Sequence, residues 1–322
     1  MNKSQKPSVA VLILNFNQWQ MTRKCVQSVL KSDYDIFQVL LIDNGSYSQE
    51  DYWQLLHLQL DRCKVIQLEK NRGYVGGMNY GLELAHDRGF DLYLIMNNDA
   101  MIAPDAISKL VATSQKYDYR CIVTGKVYHY DRPNVLQFVG YEITSKKNLK
   151  IRRLVNDEED RGQWDNEMEL DMTDDIFWLL SGKIYEEVGG YSPYFWFNAE
   201  QADLALRAIE AGNKLIYTPE ARIWHKGSLT IGGRGDNPTL IYYNLQASLI
   251  LRYLHLNRMR FFSYYLQTLL KLLKDYFKYL VKWILNYRPN KQILYAKLKA
   301  VGYFNSWYFT RKENPGITPF DQ

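Results

Sequence analysis

The sequence predicts an α/β fold in which a mostly parallel central sheet is flanked by helices and followed by a C-terminal helical extension. Three observations support this prediction. Apolar runs of strand length alternate with segments of helical periodicity over the first 120 residues, the pattern of a doubly wound sheet. Several of these runs end abruptly in short polar side chains. Residues 251–322 are basic and rich in aromatic side chains.

The predicted strands are short, mainly apolar segments, and the first of them is a continuous apolar run typical of a strand buried on both faces of a sheet. They cover residues 9–14, 38–43, 64–68, 92–96, 176–180, 214–217 and 221–225. Helices are predicted where apolar residues recur at helical spacing, at residues 25–30, 52–60, 78–86, 104–117 and 199–211. Residues 141–175 are polar and charged, and we interpret them as a hairpin and loops at the edge of the sheet.

Length and composition limit the class of protein. A chain of 322 residues with 47% hydrophobic residues can bury one large core or two modest ones. Cys25, Cys63 and Cys121 are far apart and show neither metal-ligand spacing nor a disulfide framework, so we expect a reducing cytosol. The first residues contain no apolar segment of the signal-peptide type.

Three short polar residues, Asn97, Asn98 and Asp99, directly follow the apolar run 92–96. Ligands of open α/β sheets bind beyond the carboxyl ends of the strands, and hard divalent cations bind carboxylate oxygens. The pattern therefore predicts a site where a nucleotide diphosphate and its cation, Mn²⁺ or Mg²⁺, meet the protein. A strand followed by an ordinary Asn/Asp turn has the same sequence, and the three residues alone leave both interpretations open.

Asp43 and a glycine-rich run lie at the same predicted edge of the sheet. Asp43 ends a buried run, where its carboxylate could accept a hydrogen bond from the imide N–H of uracil or thymine, or could cap a turn. Gly73, Gly76, Gly77 and Gly81 follow the third strand, where backbone and a helix N-terminus could approach a phosphate. Their spacing is not that of a dinucleotide-binding loop, and a simple turn is the alternative.

Acidic and aromatic residues meet at the start of a later helix. Glu200 and Asp203 share a helical face, and the helix dipole favours their ionised forms. An ionised carboxylate can act as a general base, although acidic residues are common at helix starts. The aromatic run 194–197 favours a sugar-binding pocket. His225 could ligate a metal, although a single histidine is more often structural. Residues 231–236 are predicted to form a mobile lid.

In this order, the motifs resemble those of the family 2 glycosyltransferases with the GT-A fold, and most closely their bacterial rhamnosyltransferase-like branch. The resemblance lies within residues 8–255, in the segments 14–17, 42–46, 71–81, 97–99, 189–191, 200–207, 219–221 and 225–227. It implies inversion of the anomeric centre by direct displacement. The nucleotide-sugar-binding residues that it implies are Asn15, Asp43, Asn71, Gly77, Asn79, Asn97 and Asn98. The implied metal ligands are Asp99 and His225, the catalytic residues Glu200 and Asp203, and the acceptor-binding residues Trp196 and Gln201.

Two positions depart from the family pattern. Asn97 replaces the first aspartate of the Asp-x-Asp motif, a mild change in this branch. Gln201 stands where the family often has the aspartate that serves as the base, and an amide cannot accept the proton at neutral pH. Either Glu200 or Asp203 is then the base, or the enzyme is slow or inactive.

The C-terminal residues predict a membrane-binding helix. Residues 1–250 contain 27 Lys and Arg against 32 Asp and Glu, a net charge of −5, whereas residues 251–322 contain 13 against 3, a net charge of +10. Lys271, Lys274, Lys278 and Lys282 form one stripe beside a broad aromatic face. An interfacial helix on an anionic membrane fits this pattern. Packing on the remaining chain or on another subunit is the alternative, and a spanning helix or a nucleic-acid partner is not expected.

The predicted organisation is a catalytic domain at residues 1–255 and a helical tail at residues 256–322. The predicted function is metal-dependent transfer of a sugar, rhamnose from dTDP-rhamnose or a hexose from a UDP-sugar, onto a lipid-linked saccharide in cell-surface polysaccharide synthesis. The predicted location is the inner face of the cytoplasmic membrane, and a homodimer is considered. The alternatives are a nucleotidyltransferase and a catalytically weakened saccharide-binding or scaffold subunit, which Gln201 motivates.

Overall fold

The computed structural model describes residues 6–59, 61–227, 237–287, 290–316 and 320, and the chain folds into two compact units. The first unit comprises Met1–Glu142, Ile151–Tyr191 and Gln201–Gly227, and the second comprises Ile143–Lys150, Ser192–Glu200 and Ser228–Gln322. The lid predicted at residues 231–236 lies outside the described residues.

The strands are β1 (Val9–Asn15), β2 (Phe37–Asp43), β3 (Cys63–Gln67), β4 (Leu92–Met96), β5 (Ala100–Ile102), β6 (Cys121–His129), β7 (Val135–Phe138), β8 (Tyr141–Ser145), β9 (Lys150–Arg153), β10 (Glu158–Glu159), β11 (Met168–Glu169), β12 (Phe177–Ser181) and β13 (Lys214–His225). The helices are α1 (Trp19–Val29), α2 (Gln49–Leu56), α3 (Gly73–Asp87), α4 (Ala106–Lys116), α5 (Gly182–Val188), α6 (Glu200–Glu210), α7 (Pro238–His255), α8 (Arg258–Ile284) and α9 (Lys291–Thr310).

The first unit is built on one large sheet with the strand order β10-β7-β6-β12-β4-β1-β2-β3. Strands β4, β1, β2 and β3 run parallel, and β13 runs parallel to β6, while β12 lies antiparallel between β4 and β6. Helices cover the parallel strands, so apolar residues such as Val11, Leu41 and Leu94 are fully buried. The predicted α/β fold, with its mostly parallel central sheet and C-terminal helical region, is confirmed.

Two elements differ from the prediction. The runs predicted as separate strands at 214–217 and 221–225 form the single strand β13, which has a register shift between Thr218 and Arg222. Helix α3 begins at Gly73 rather than at residue 78, so the glycines lie inside it. A Cβ atom on Gly77 would lie 2.6 Å from Leu14 Cδ1, so glycine allows this helix to pack directly on the sheet.

The second unit is helical. Helices α7 and α9 pack through Tyr242 and Tyr243 against the small side chains of Ala296 and Ala300. This packing groups α7 with the C-terminal helices, and the catalytic-domain boundary at residue 255 stays a prediction. Among the described residues, no helix is long and apolar enough to cross a membrane.

Candidate active site

The polar residues at the ends of β1 and β2 form one buried hydrogen-bonded network. Asn15 Nδ2 donates to Asp43 Oδ1 at 2.9 Å, and Ser46 Oγ donates to the same oxygen at 2.5 Å. Thr22 Oγ1 donates to Asn15 Oδ1 at 2.6 Å, and Asn98 Nδ2 donates to Thr22 Oγ1 at 2.8 Å. Asn15, Asp43 and Asn98 are therefore brought together as predicted, and Thr22, which the sequence reasoning missed, connects them.

The second carboxylate oxygen of Asp43 accepts no hydrogen bond from the described part of the chain. Asp43 is 0% exposed, and its Oδ2 atom is buried among the described residues without a donor. A buried carboxylate oxygen without a donor is costly, so this arrangement favours a ligand that donates an N–H group at this point. The imide N–H of uracil or thymine is such a donor.

Asp99 and His225 form the second polar centre at this sheet edge. His225 Nε2 lies 3.1 Å from Asp99 Oδ1, and Asn97 Nδ2 lies 3.3 Å from His225 Nε2. The backbone N–H of Gly227 donates to Asp99 Oδ2 at 3.2 Å. Burial raises the pKa of Asp99, but the hydrogen bond and charge of His225 outweigh this effect and hold the pKa below 3.8. The side chain of Asp99 is therefore anionic at neutral pH.

The Asp99–His225 pair fits a divalent cation that arrives with a diphosphate. Among the described residues, no group of three or more His, Cys, Asp or Glu side chains could hold a metal ion. The protein thus offers one carboxylate oxygen and one imidazole nitrogen. A nucleotide-associated Mg²⁺ ion keeps several waters and binds one or two carboxylates besides the phosphates, which matches such a small donor set.

Asn71, Gly77 and Asn79 brace the region around α3. Asn71 Oδ1 accepts from the backbone N–H of Gly73 at 2.7 Å, at the start of the helix. Asn79 donates to Tyr191 O at 2.8 Å and accepts from Tyr191 N at 2.7 Å, so it joins α3 to the 189–191 turn. Gly77 packs against β1. The contacts of these three predicted nucleotide-binding residues are structural, and their contact with the nucleotide stays a prediction.

A carboxylate that the sequence reasoning missed lies beside Gln201. Gln201 Nε2 donates to Asp174 Oδ1 at 3.4 Å, and Tyr141 O–H donates to Asp174 Oδ2 at 2.8 Å. Burial raises the pKa of Asp174, although both hydrogen bonds oppose the increase. Gln201 Oε1 is buried without a hydrogen-bond partner among the described residues, so it can accept from an acceptor hydroxyl.

Asp175, the next residue, is buried with two tyrosines. Tyr74 and Tyr191 donate to its Oδ2 atom at 2.7 and 2.5 Å. Burial raises the pKa of Asp175 to about 6 despite these hydrogen bonds. The adjacent acids Asp174 and Asp175 were the signal in the sequence that could have identified this cluster.

The remaining predicted residues lie at and before the start of α6. Asp203 is buried and accepts from Arg207 Nε at 2.8 Å, and Arg207 also donates to Gly190 O at 2.8 Å. This ion pair indicates a bracing role for Asp203. Glu200, the first residue of α6, is buried and belongs to the second unit. Trp196 packs against the tyrosine–alanine cluster of that unit. The catalytic role of Glu200 and the acceptor contact of Trp196 stay predictions.

The fold places this chain in a structural class. A solved structure of GalNAc-T7 with UDP, GalNAc and Mn²⁺ is similar to it, with a TM-score of 0.63 and 17% sequence identity. The similarity covers 78% of this chain and 48% of that chain. It confirms the GT-A fold that the sequence predicts.

Sequence comparison supports the family resemblance. Residues 10–167 match the family model of glycosyl transferase family 2, so the predicted resemblance to that family is confirmed. Among curated relatives, glycosyltransferase GlyG of Streptococcus pneumoniae is 23% identical over 48% of this chain and 51% of its own length. The glucosyl-dolichyl phosphate glucuronosyltransferase of Haloferax volcanii is 25% identical over 69% of both chains. An uncharacterized Sinorhizobium fredii protein is 24% identical over 72% of this chain, which spans only 26% of that protein.

Proposed function

We propose that this protein is an inverting, metal-dependent glycosyltransferase that uses a uridine or thymidine diphosphate sugar, such as dTDP-rhamnose or a UDP-hexose. The main support is the buried Oδ2 atom of Asp43, which faces no donor of the described chain. Strands β2 and β4 flank β1, so their ends are about 10 Å apart at the usual strand spacing. This separation lets a pyrimidine bind at Asp43 while its diphosphate reaches Asp99.

The residues of this chain would divide the work as follows. Asp43 accepts the imide N–H. Asn15 holds Asp43 in place directly, and Asn98 supports Asn15 through Thr22. Asp99 and His225 would hold Mn²⁺ or Mg²⁺, which would neutralise the charge of the departing diphosphate. Asn97 lies beside His225 and faces the donor.

The general base would come from the residues near the acceptor saccharide. A carboxylate of the Glu200/Asp203 pair removes the proton from the acceptor hydroxyl, because Gln201, at the position where the family often has its base, cannot accept it. The ion pair between Asp203 and Arg207 leaves Glu200 as the preferred base. Gln201 Oε1 orients the hydroxyl, and Trp196 contacts the sugar.

A thermal-shift screen tests the donor assignment. Nucleotide sugars are added with Mn²⁺, with Mg²⁺ or with EDTA, because a ligand that binds the native state raises its melting temperature. We expect uridine or thymidine diphosphate sugars to stabilise the protein in the presence of a metal, and guanosine or adenosine analogues not to. Release of inorganic diphosphate from a nucleoside triphosphate would instead favour a nucleotidyltransferase. Binding without turnover on any acceptor would favour a saccharide-binding subunit.

We also propose that the acceptor is a saccharide on a lipid and that α8 binds the anionic inner face of the cytoplasmic membrane. The Haloferax relative is named for glucosyl-dolichyl phosphate, a sugar linked to a lipid, and this name supports a lipid-linked acceptor. Apolar residues of α8 spaced three or four apart form one exposed face; they are Met259, Phe262, Leu266, Leu270, Leu273, Phe277, Val281 and Ile284. The lysine stripe lies along one side of this face.

Flotation on lipid vesicles tests the membrane proposal. Replacing Phe262, Leu270 and Phe277 by serine removes three side chains that are 57–65% exposed, so we expect loss of binding without loss of fold. Replacing Lys274 and Lys278 by glutamine is expected to weaken binding to anionic vesicles only. If wild-type protein does not float and light scattering shows a dimer that the serine variant lacks, the face binds a second copy instead.

A further inference from the structure

A continuous row of hydrogen bonds leads from the protein surface to the imidazole ring of His225. Asp157 Oδ1 lies 2.8 Å from His129 Nε2, and Arg132 donates to Asp157 Oδ2 at 3.1 Å. His129 Nδ1 lies 3.4 Å from Gln137 Nε2, and Gln137 Oε1 lies 2.7 Å from His225 Nδ1. All five residues belong to the first unit.

The chemistry of these groups gives the row one direction. The carboxylate of Asp157 can only accept, so His129 donates through Nε2 and, as a neutral imidazole, accepts at Nδ1. The amide of Gln137 then donates to His129, and its carbonyl oxygen accepts from His225 Nδ1–H. If the amide of Gln137 had the opposite orientation, its carbonyl oxygen would face His129 Nδ1. His129 would then have to carry a proton on both ring nitrogens.

The direction of the row decides which nitrogen of His225 is available. With the proton on Nδ1, the Nε2 lone pair points toward Asp99 Oδ1, 3.1 Å away. A lone pair and a carboxylate oxygen at this distance repel each other unless a proton or a metal cation lies between them. The proton gives the hydrogen bond to Asp99 described above, and a metal ion would replace that proton on Nε2. A partner that holds the second nitrogen of a histidine in this way fixes its tautomer for metal binding.

We infer that Gln137, oriented by His129 and Asp157, is a positioning residue that keeps the Nε2 atom of His225 free to bind the divalent cation. The inference rests on the metal site of the proposed function. It assigns a role to the segment around β7 that no sequence motif indicated.

The tautomer of His225 can be measured without metal or turnover. The chain contains five histidines, so long-range ¹H–¹⁵N spectra of the full-length, metal-free protein at alkaline pH are interpretable. The signals that disappear in His225→Gln identify the ring. We expect the Nδ1–H form of His225 in the wild type and in Gln137→Glu, whose carboxylate still accepts from Nδ1. We expect the Nε2–H form, donating to Asp99, to become substantial in Gln137→Leu.

Metal affinity provides the second readout. Mn²⁺ is titrated by electron paramagnetic resonance into each variant with saturating UDP. Loss of a residue that orients a metal ligand typically weakens metal binding about 10- to 100-fold, so we expect this for Gln137→Leu and near-normal affinity for Gln137→Glu. Gln115→Leu, at an exposed glutamine of α4, is the matched control and should behave as wild type.

The possible results separate the inference from the proposed function. If the wild type binds Mn²⁺ and Gln137→Leu changes neither the tautomer nor the affinity, the positioning role is refuted while the metal site stands. An Nε2–H tautomer in the metal-free wild type also refutes it. If His225→Gln and the wild type bind Mn²⁺ equally well, the metal site itself is wrong. Equal loss of affinity in Gln137→Leu and Gln137→Glu, with an unchanged tautomer, shows a purely structural role and refutes the inference.

Discussion

The substitution Asp43→Asn is expected to weaken nucleotide binding without destabilising the fold. The reason is that the Oδ2 atom of Asp43 has no donor among the described residues. In the wild type, Oδ1 accepts from Asn15 and Ser46, while Oδ2 has no donor among the residues that the structure describes. In the variant, the amide oxygen can keep the contacts of Oδ1, and the amide nitrogen replaces Oδ2. A donor then faces the imide N–H of the base, so the hydrogen bond that we propose to bind uracil is lost.

The structure sets the size of both effects. A hydrogen bond to a charged group contributes about 1.5–3 kcal/mol, so the Kd for UDP is expected to increase roughly 10- to 150-fold. The melting temperature without ligand is expected to stay the same or to rise, because a fully buried carboxylate with an unpartnered oxygen is removed.

Calorimetric titration with UDP in the presence of Mn²⁺ measures the first effect, and thermal unfolding of the free protein measures the second. Asp61→Asn, at an exposed position, is the matched control and should change neither quantity. A Kd for Asp43→Asn within twofold of wild type would refute the assignment of Asp43 to the base. A large drop in melting temperature would show that Asp43 mainly stabilises the fold.

Three further predictions concern the metal, the base and the buried acids. Asp99→Ala is expected to abolish the metal dependence of donor binding, which calorimetric titration of the donor with and without Mn²⁺ measures. A metal dependence that persists in the variant would contradict this prediction. Glu200→Gln is expected to lower turnover about 10²- to 10⁴-fold with little change in donor affinity, whereas Gln201→Asp is expected to keep or raise the turnover rate. Near-normal turnover of Glu200→Gln would exclude Glu200 as the base. Turnover of Asp203→Asn and Asp174→Asn would then test the two other carboxylates. The pKa of Asp175 is raised from 3.8 to about 6, so folding favours its protonated form and stability contributed by this group is lost as the pH rises from about 4 to 6. The loss is about 3 kcal/mol at most, and denaturant unfolding across this range should show a smaller decrease for Asp175→Asn than for wild type.

The amino-acid sequence alone was enough to predict the central sheet and the sheet edge at which we propose the donor site. Continuous apolar runs require burial on both faces, and this local property correctly predicted β1, β2 and β4. Because parallel strands present their carboxyl ends at one edge, the residues after β1, β2 and β4 had to lie near each other. This reasoning placed Asn15, Asp43 and Asp99 at one edge without any coordinates.

The pairing of these residues depends on the tertiary structure. Asn97 and His225 are 128 positions apart, and Gln137 and His225 are 88 apart, so no local pattern relates them. The same holds for Asp174 beside Gln201 and for Thr22 between Asn15 and Asn98. Hydrophobic periodicity reports which face of an element is buried, whereas the partner of a buried polar group depends on which elements fold against it. The orientation of His225, and with it the metal site that we propose, is therefore a property of the folded chain.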